Sequence, residues 1–196
     1  MAWKNDQVSG VETEKILELA RKCLSVEGDF VELGCYKGDT SLLLASLLVE
    51  NPVENSAKRL WIYDSFEGLP EKGSEDDSAL GVDFKKGELL VTKREVKERF
   101  LRAGLPVPVM KKAWFSDLTG SDLPESIALA FLDGDLYESI KDSLRLVEPK
   151  MNERSIIIVH DYNNPALPGV AKAVDEWLTN KAYKLEVFQS MAILQG

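Results

Sequence analysis

Residues 30–50 read FVELGCYKGDTSLLLASLLVE. The apolar run FVELGC is short and continuous, as expected of a strand buried on both faces. A glycine turn follows, and then a leucine-rich segment, Asp39 to Glu50, with the density of a buried helix. Strand, glycine turn and helix form the opening unit of a parallel sheet covered by helices.

The rest of the chain repeats this alternation. Upstream, residues 11–26 place Ile16, Leu19, Ala20, Cys23 and Leu24 at helical spacing, and Gly28 ends that helix. Downstream, residues 59–64 (RLWIYD) read as a strand ending in an acid, and Pro52 stops the helix before it. Residues 92–103 read as a helix, with Thr92 and Glu95 in capping-box spacing. Strands are expected over 107–113, 127–133 and 155–161, and helices over 137–147 and 169–179. Residues 184–188 and 191–194, joined through Gln189 and Ser190, close the chain as two strands with no helix between them. The predicted fold class is α/β, a single doubly wound, mostly parallel seven-stranded sheet with helices on both faces and an antiparallel edge. Residues 67–91 are Gly-rich, acidic and weakly periodic, which predicts a functional loop or lid.

Composition narrows the function. The chain has 196 residues, about one domain, and a formal charge of −9. A surface this acidic repels phosphate backbones and anionic lipids, so no nucleic acid and no membrane is expected as a partner. Two cysteines, Cys23 and Cys35, and one histidine are too few for a disulfide scaffold or a structural zinc site. The cysteines are expected to be reduced and buried. No apolar run approaches the ~20 residues of a membrane span. The opening MAWKNDQVSGVETEK has no apolar stretch, so a cytoplasmic location is expected.

Ligands of such sheets bind beyond the carboxyl ends of the strands. The first of these ends carries Gly34 and Gly38, with Tyr36 where a dinucleotide fingerprint has its second glycine. That side chain crowds a pyrophosphate, so a nucleoside without phosphates fits better; a turn of pure geometry is the alternative. Asp64 ends the second strand, where a carboxylate can accept both ribose hydroxyls of an adenosine, or where Asp64 and Ser65 simply form a turn. The fourth strand ends in Asp133-Gly134-Asp135 and the fifth in His160-Asp161-Tyr162. Neighbouring strands lie ~4.8 Å apart, so Asp133 and Asp161 can share one cation or one substrate hydroxyl. Asp135, three residues before Glu138, is expected to cap the helix that follows. His160 is either a hydrogen-bonded structural residue or a functional group. Trp114 and Phe115 can stack an adenine or pack in the core, whereas Trp61, Phe131 and Trp177 read as core.

FVELGCYKGDTS, YDSFEGLP, KAWFSD followed by DLP, FLDGDLYES and HDYNNPALPGVAKAVDEW together resemble the macrocin O-methyltransferase family from about Phe30 to about Trp177. These are class I S-adenosylmethionine-dependent enzymes that methylate sugar hydroxyls in natural-product biosynthesis. The resemblance implies S-adenosylmethionine as cofactor, lined by Glu32, Gly34, Tyr36, Gly38 and Ser41, with Asp64 and Ser65 at the ribose and Trp114 and Phe115 near the adenine. It also implies a divalent cation, usually magnesium, held by the acids that correspond to Asp133, His160 and Asp161. The first acid of the family's Asp-Asp-Tyr motif is His160 here, and magnesium prefers oxygen. A softer metal, weaker binding and a metal-free site with His160 as base stay open. Family members usually carry a longer N-terminal region around the substrate, and this sequence has about one helix before its first strand, so the sugar is not carried over.

The residues allow a mechanism in which Asp133 and Asp161 hold a cation that acidifies a substrate hydroxyl, and Asp133 or His160 takes its proton. The expected partner is a small hydroxylated molecule, with self-association into a homo-oligomer open. An NAD-dependent oxidoreductase and a non-catalytic ligand-binding relative are the alternatives.

Overall fold

The computed structural model describes residues 7–51, 58–82 and 84–196. The stop expected at Pro52 and the start of the N-terminal stretch lie outside the described residues. Seven strands form one sheet in the order β3-β2-β1-β4-β5-β7-β6. They are β1 (Asp29–Leu33), β2 (Leu60–Asp64), β3 (Val109–Lys112), β4 (Ile127–Leu132), β5 (Met151–Val159), β6 (Lys184–Phe188) and β7 (Met191–Gln195). β1 to β5 run parallel, and β7 is antiparallel to both β5 and β6. The helices are α1 (Gly10–Cys23), α2 (Asp39–Glu50), α3 (Lys93–Ala103), α4 (Tyr137–Val147) and α5 (Pro168–Leu178). This is the expected doubly wound architecture with its antiparallel edge.

Alternate residues of each strand face opposite sides of the sheet, which makes two cores. On one side Phe30, Ile62, Phe131 and Ile158 pack with Ile16 and Leu19 of α1, Leu42 of α2 and Phe100 of α3. On the other, Val31, Tyr63, Leu132 and Val159 pack with Ile140 and Leu144 of α4 and Val170 and Val174 of α5. Phe131 is fully buried, while Trp61 and Trp177 are only partly buried against the second core. Cys23 and Cys35 are buried and unpaired. Among the described residues, no helix is long and apolar enough to cross a membrane.

The capping box at α3 forms as its spacing predicts: the Thr92 side chain accepts from Glu95 N while the Glu95 carboxylate accepts from Thr92 N. A second box, Ser9 with Glu12, opens α1, and the other Glu12 oxygen accepts from Ser190 N and Oγ at 3.0 and 2.6 Å. That contact ties α1 to the β6–β7 turn.

Two expectations are corrected. β5 begins at Met151, earlier than the apolar run suggests, because Asn152, Glu153 and Arg154 are exposed and leave no hydrophobic signature. Asp135 does not cap α4. Its backbone is left-handed at φ 59°, no side chain caps α4 from the N-cap residue Leu136, and the N–H of Tyr137 is met instead by Asp76 Oδ1 at 2.7 Å. Asp76 belongs to the 67–91 segment, whose described residues have no regular structure apart from one 3-10 turn at Ser74–Asp76.

Candidate functional site

The strand order reverses between β1 and β4, so the loops after these two strands part and leave a crevice. Gly34 makes the close approach there. Its φ is +88°, and a Cβ at this position would lie 2.0 Å from the backbone oxygen of Asp133. Only glycine lets the β1 turn sit against the end of β4. Asp64, at the end of β2, organises the same turn: its Oδ2 accepts from Cys35 N at 2.9 Å and Tyr36 N at 3.2 Å, and its Oδ1 accepts from Phe66 N at 2.7 Å. A carboxylate offers about four lone-pair positions, so one is left for an incoming donor. The turn role expected as the alternative for Asp64 is thus present, and it leaves room for one ribose hydroxyl rather than two.

A cleft of about 270 Å³ opens over these strand ends. Gly34, Tyr36, Asp64 and Ser65 line one side of it, and Trp114 and Phe115, just after β3, line another. Asp133, His160 and Asp161 line the floor. The 67–91 segment contributes Leu69, Pro70, Phe84 and Leu89 as an apolar wall. Nine of the residues singled out in sequence are thus brought together. Three are not at the cleft wall. Gly38 is the N-cap of α2 at φ +79°. Glu32 and Ser41 are buried beneath the turn, where Ser41 Oγ donates to the Glu32 carboxylate. Burial, outweighing the Ser41 hydrogen bond, pushes the Glu32 carboxyl up to about 8, helped by Asp133, Asp64 and Asp39.

His160 Nδ1 lies 3.0 Å from Asp133 Oδ1 and 3.0 Å from Asp161 Oδ2. Burial favours the neutral ring, but the two carboxylates outweigh it and push the imidazole up to about 11. The two carboxylates thus favour the charged ring over the neutral one. The ligand atoms of Asp133, His160 and Asp161 lie within 4.8 Å of one another, a spacing that would admit an ion. Magnesium prefers an octahedron of oxygens, and here one of the three ligand residues offers a nitrogen, a set that suits a softer divalent ion better.

Two further residues belong to the site that the sequence reading did not assign to it. Asn164 Nδ2 donates to Asp161 Oδ1 at 2.8 Å and lines the cleft. Asp135 also lines the cleft, and no protein donor hydrogen-bonds its carboxyl among the described residues. Burial, with Asp133 and Asp161 beside it, pushes that carboxyl well above the usual range. Tyr36 (φ 44°), Leu89 (φ 59°), Asp135 (φ 59°) and Asp161 (φ 62°) all line the cleft in left-handed backbone, a concentration of strain typical of functional sites. The one signal available in sequence was the second acid of Asp133-Gly134-Asp135, since aspartate tolerates that conformation.

Fold and cleft together define a doubly wound, Rossmann-like α/β domain with its cleft at the switch point of the sheet. The O-methyltransferase NovP superposes with a TM-score of 0.80 over 94% of this chain and 78% of that one, at 28% identity. The calicheamicin methyltransferase CalS11 does so with a TM-score of 0.79 over the same shares, at 22% identity, which bears on the fold alone. Residues 14–189 match the family described as Macrocin-O-methyltransferase (TylF), and the chain belongs to that family. Demethyldecarbamoylnovobiocin O-methyltransferase of Streptomyces niveus is 30% identical over 174 residues, 83% of this chain and 65% of that protein. The 8-demethyl-8-(2,3-dimethoxy-alpha-L-rhamnosyl)-tetracenomycin-C 4'-O-methyltransferase of Streptomyces olivaceus is 33% identical over 142 residues, 70% of this chain and 54% of that protein. The chain thus spans little more than half to two-thirds of these relatives.

Proposed function

We propose that this chain is an S-adenosylmethionine-dependent O-methyltransferase whose acceptor is a hydroxyl of a small sugar or glycosylated metabolite. The observation that carries the reading is the single cleft joining the Gly34 turn to the acids at the ends of β4 and β5. A nucleoside site and a hydroxyl site then share one wall, as a direct transfer between them requires. Membership of the family and the printed activities of the relatives support it. Tyr36 at the second-glycine position argues against the pyrophosphate of a nicotinamide dinucleotide.

In this reading Asp64 accepts one ribose hydroxyl with its remaining lone pair, and Trp114 and Phe115 flank the adenine. Attack by an alcohol needs its proton removed, and Asp135, a cleft carboxyl that no described protein donor holds, is placed to take it once ionised, burial raising its proton affinity. Bound S-adenosylmethionine would supply the methyl group to the hydroxyl oxygen and be released as S-adenosylhomocysteine, while Asp135 takes the hydroxyl proton. Asp133, which the sequence reading also offered as base, is engaged by His160 and orients the acceptor. The 67–91 segment closes the cleft from the side of Leu69 and Phe84 and excludes water.

A thermal-shift titration tests the class. S-adenosylhomocysteine at ~100 times its dissociation constant stabilises by about 2.7 kcal/mol, which raises Tm by several degrees. A rise with NAD and none with S-adenosylhomocysteine would overturn the proposal.

A further inference from the structure

α3 lies outside the cleft, yet one of its side chains grips the far end of the β1 turn. Val96, Arg99 and Phe100 share one face of the helix, three and four residues apart. Val96 and Phe100 are fully buried, and a Cβ on Gly38 would lie 3.1 Å from Val96 Cγ1. This close packing brings the Arg99 guanidinium to the start of α2, sixty positions away along the chain. Its Nη1 donates to Lys37 O and its Nη2 to Asp39 Oδ1, both at 2.5 Å. The planar fork therefore holds the backbone on either side of Gly38, whose φ is +79°.

What this fork holds borders the ligand cleft. Past Tyr36 and Asp133 the cleft continues into a smaller pocket of about 20 Å³, lined by Glu32, Lys37, Asp39 and Thr40. Asp39 is buried, so its carboxylate needs a cation beside it, and Arg99 supplies one. Lys37 places its ammonium 5.0 Å from the centre of the Tyr36 ring, which walls the cleft. The N-cap of α2 is Gly38, which has no side chain to cap the helix. In the methyltransferase reading the adenosine lies between Asp64 and Trp114, on the β2–β3 side of the turn. The amino-acid end of the same molecule then extends to the opposite side, toward this pocket, with its carboxylate near the start of α2.

We propose that Arg99 is a positioning residue for the amino-acid end of the cofactor. It fixes the turn at Lys37 and Asp39, and it neutralises a buried carboxylate that would otherwise repel the cofactor's own. It acts through these two residues and does not line the cleft. The inference rests on the methyltransferase reading.

Two ligands separate positioning from mere support of the fold. S-adenosylhomocysteine carries the amino-acid end; methylthioadenosine has the same nucleoside and a thioether without it. In calorimetry, Arg99→Ala is expected to weaken S-adenosylhomocysteine about tenfold to a hundredfold, the size of a lost charge-assisted pair, and to leave methylthioadenosine within about twofold of the wild type. An equal loss for both ligands would mean that Arg99 only supports the fold. No loss for either would mean that the turn holds itself. Each of these results overturns the proposal. A wild type that binds neither ligand would instead sink the methyltransferase reading on which the inference stands.

Two more variants complete the test. Arg94, on the exposed face of α3, pairs with Glu98 at 2.8 Å. Arg94→Ala removes the same charge from the same helix, and both affinities are expected to match the wild type. A loss equal to that of Arg99→Ala would trace the effect to overall charge and overturn the proposal. Arg99→Lys keeps the charge but not the fork, and is expected to weaken S-adenosylhomocysteine alone, by about threefold or more. Should Arg99→Ala not fold, the lysine variant decides: wild-type affinity for both ligands, or an equal loss in both, would count against the proposal.

Discussion

Asp76 caps a helix sixty-one positions further along the chain: its Oδ1 accepts the backbone N–H of Tyr137 at 2.7 Å. A buried acid from an irregular segment thus satisfies one of the open donors of α4 and pins the 67–91 loop beside the cleft. The same loop is fastened by Ser78 Oγ to Pro165 O at 2.8 Å, and by Gly81 packed against Ala166.

Asp76→Ala is expected to lower stability by about 1 kcal/mol and to speed proteolytic cleavage within 67–91. Gly169→Ala should behave alike, because its Cβ would lie 1.9 Å from Asp76 Oδ1. Melting curves and timed proteolysis check both, and S-adenosylhomocysteine should slow cleavage of the wild-type loop. An unchanged Tm and cleavage rate in both variants would mean that the cap holds nothing.

Gly34→Ala is expected to abolish S-adenosylhomocysteine binding and to lower Tm sharply. The added Cβ would meet Asp133 O at 2.0 Å, and the φ of +88° is itself strained for alanine. Calorimetry and a melting curve on the variant give the answer, and retained affinity would show that the turn can move.

Glu32 gives the stability a pH dependence. Its carboxyl is held at about 8 in the folded chain against 4.5 ordinarily, so between those values the folded state binds more protons than the unfolded one. Stability therefore falls as pH rises through this window, by up to ~1.4 kcal/mol per pH unit. Glu32→Gln should flatten that slope and gain most over the wild type above pH 8. His160, raised from 6.5 to about 11, adds a slope of the same sign above 6.5 that the variant keeps. Tm measured across this range checks it; parallel curves for variant and wild type would refute it.

Asp135→Asn is expected to cut turnover on an identified acceptor by about 10²–10⁴-fold while leaving S-adenosylhomocysteine affinity within a few-fold. Trp114→Ala should do the reverse, weakening the ligand about tenfold through lost stacking. Single-turnover kinetics beside calorimetry separate the two effects, and full turnover by the Asp135 variant would return the role of base to Asp133.

Much of this was legible in the sequence because it is local. The helices Asp39–Glu50 and Tyr137–Val147 carry their own apolar periodicity, and Thr92 with Glu95 is a cap written in four consecutive residues. Continuous apolar strands separated by helices imply a parallel sheet, and a parallel sheet puts its ligands at the strand ends. From this followed the grouping of Gly34, Asp64, Asp133 and Asp161 at one cleft.

What the sequence could not decide were contacts between residues far apart along the chain. Asp135 looked like a cap because Glu138 follows it, but Asp76, brought in by the loop, takes the helix N-terminus and leaves Asp135 facing the cleft. Asp64 reads as a ribose acceptor or a turn residue, and only the fold adds the two donors from the β1 turn, Cys35 N and Tyr36 N, to the local one from Phe66 N. His160 reads as a base or a ligand, and the Asp133 carboxylate 3.0 Å from its Nδ1 is brought there only by the pairing of β4 with β5. Periodicity and capping are properties of neighbours in sequence, so the chain by itself determined the elements and their order. Hydrogen-bond partners and protonation depend on neighbours in space, and those were decided only by the tertiary structure.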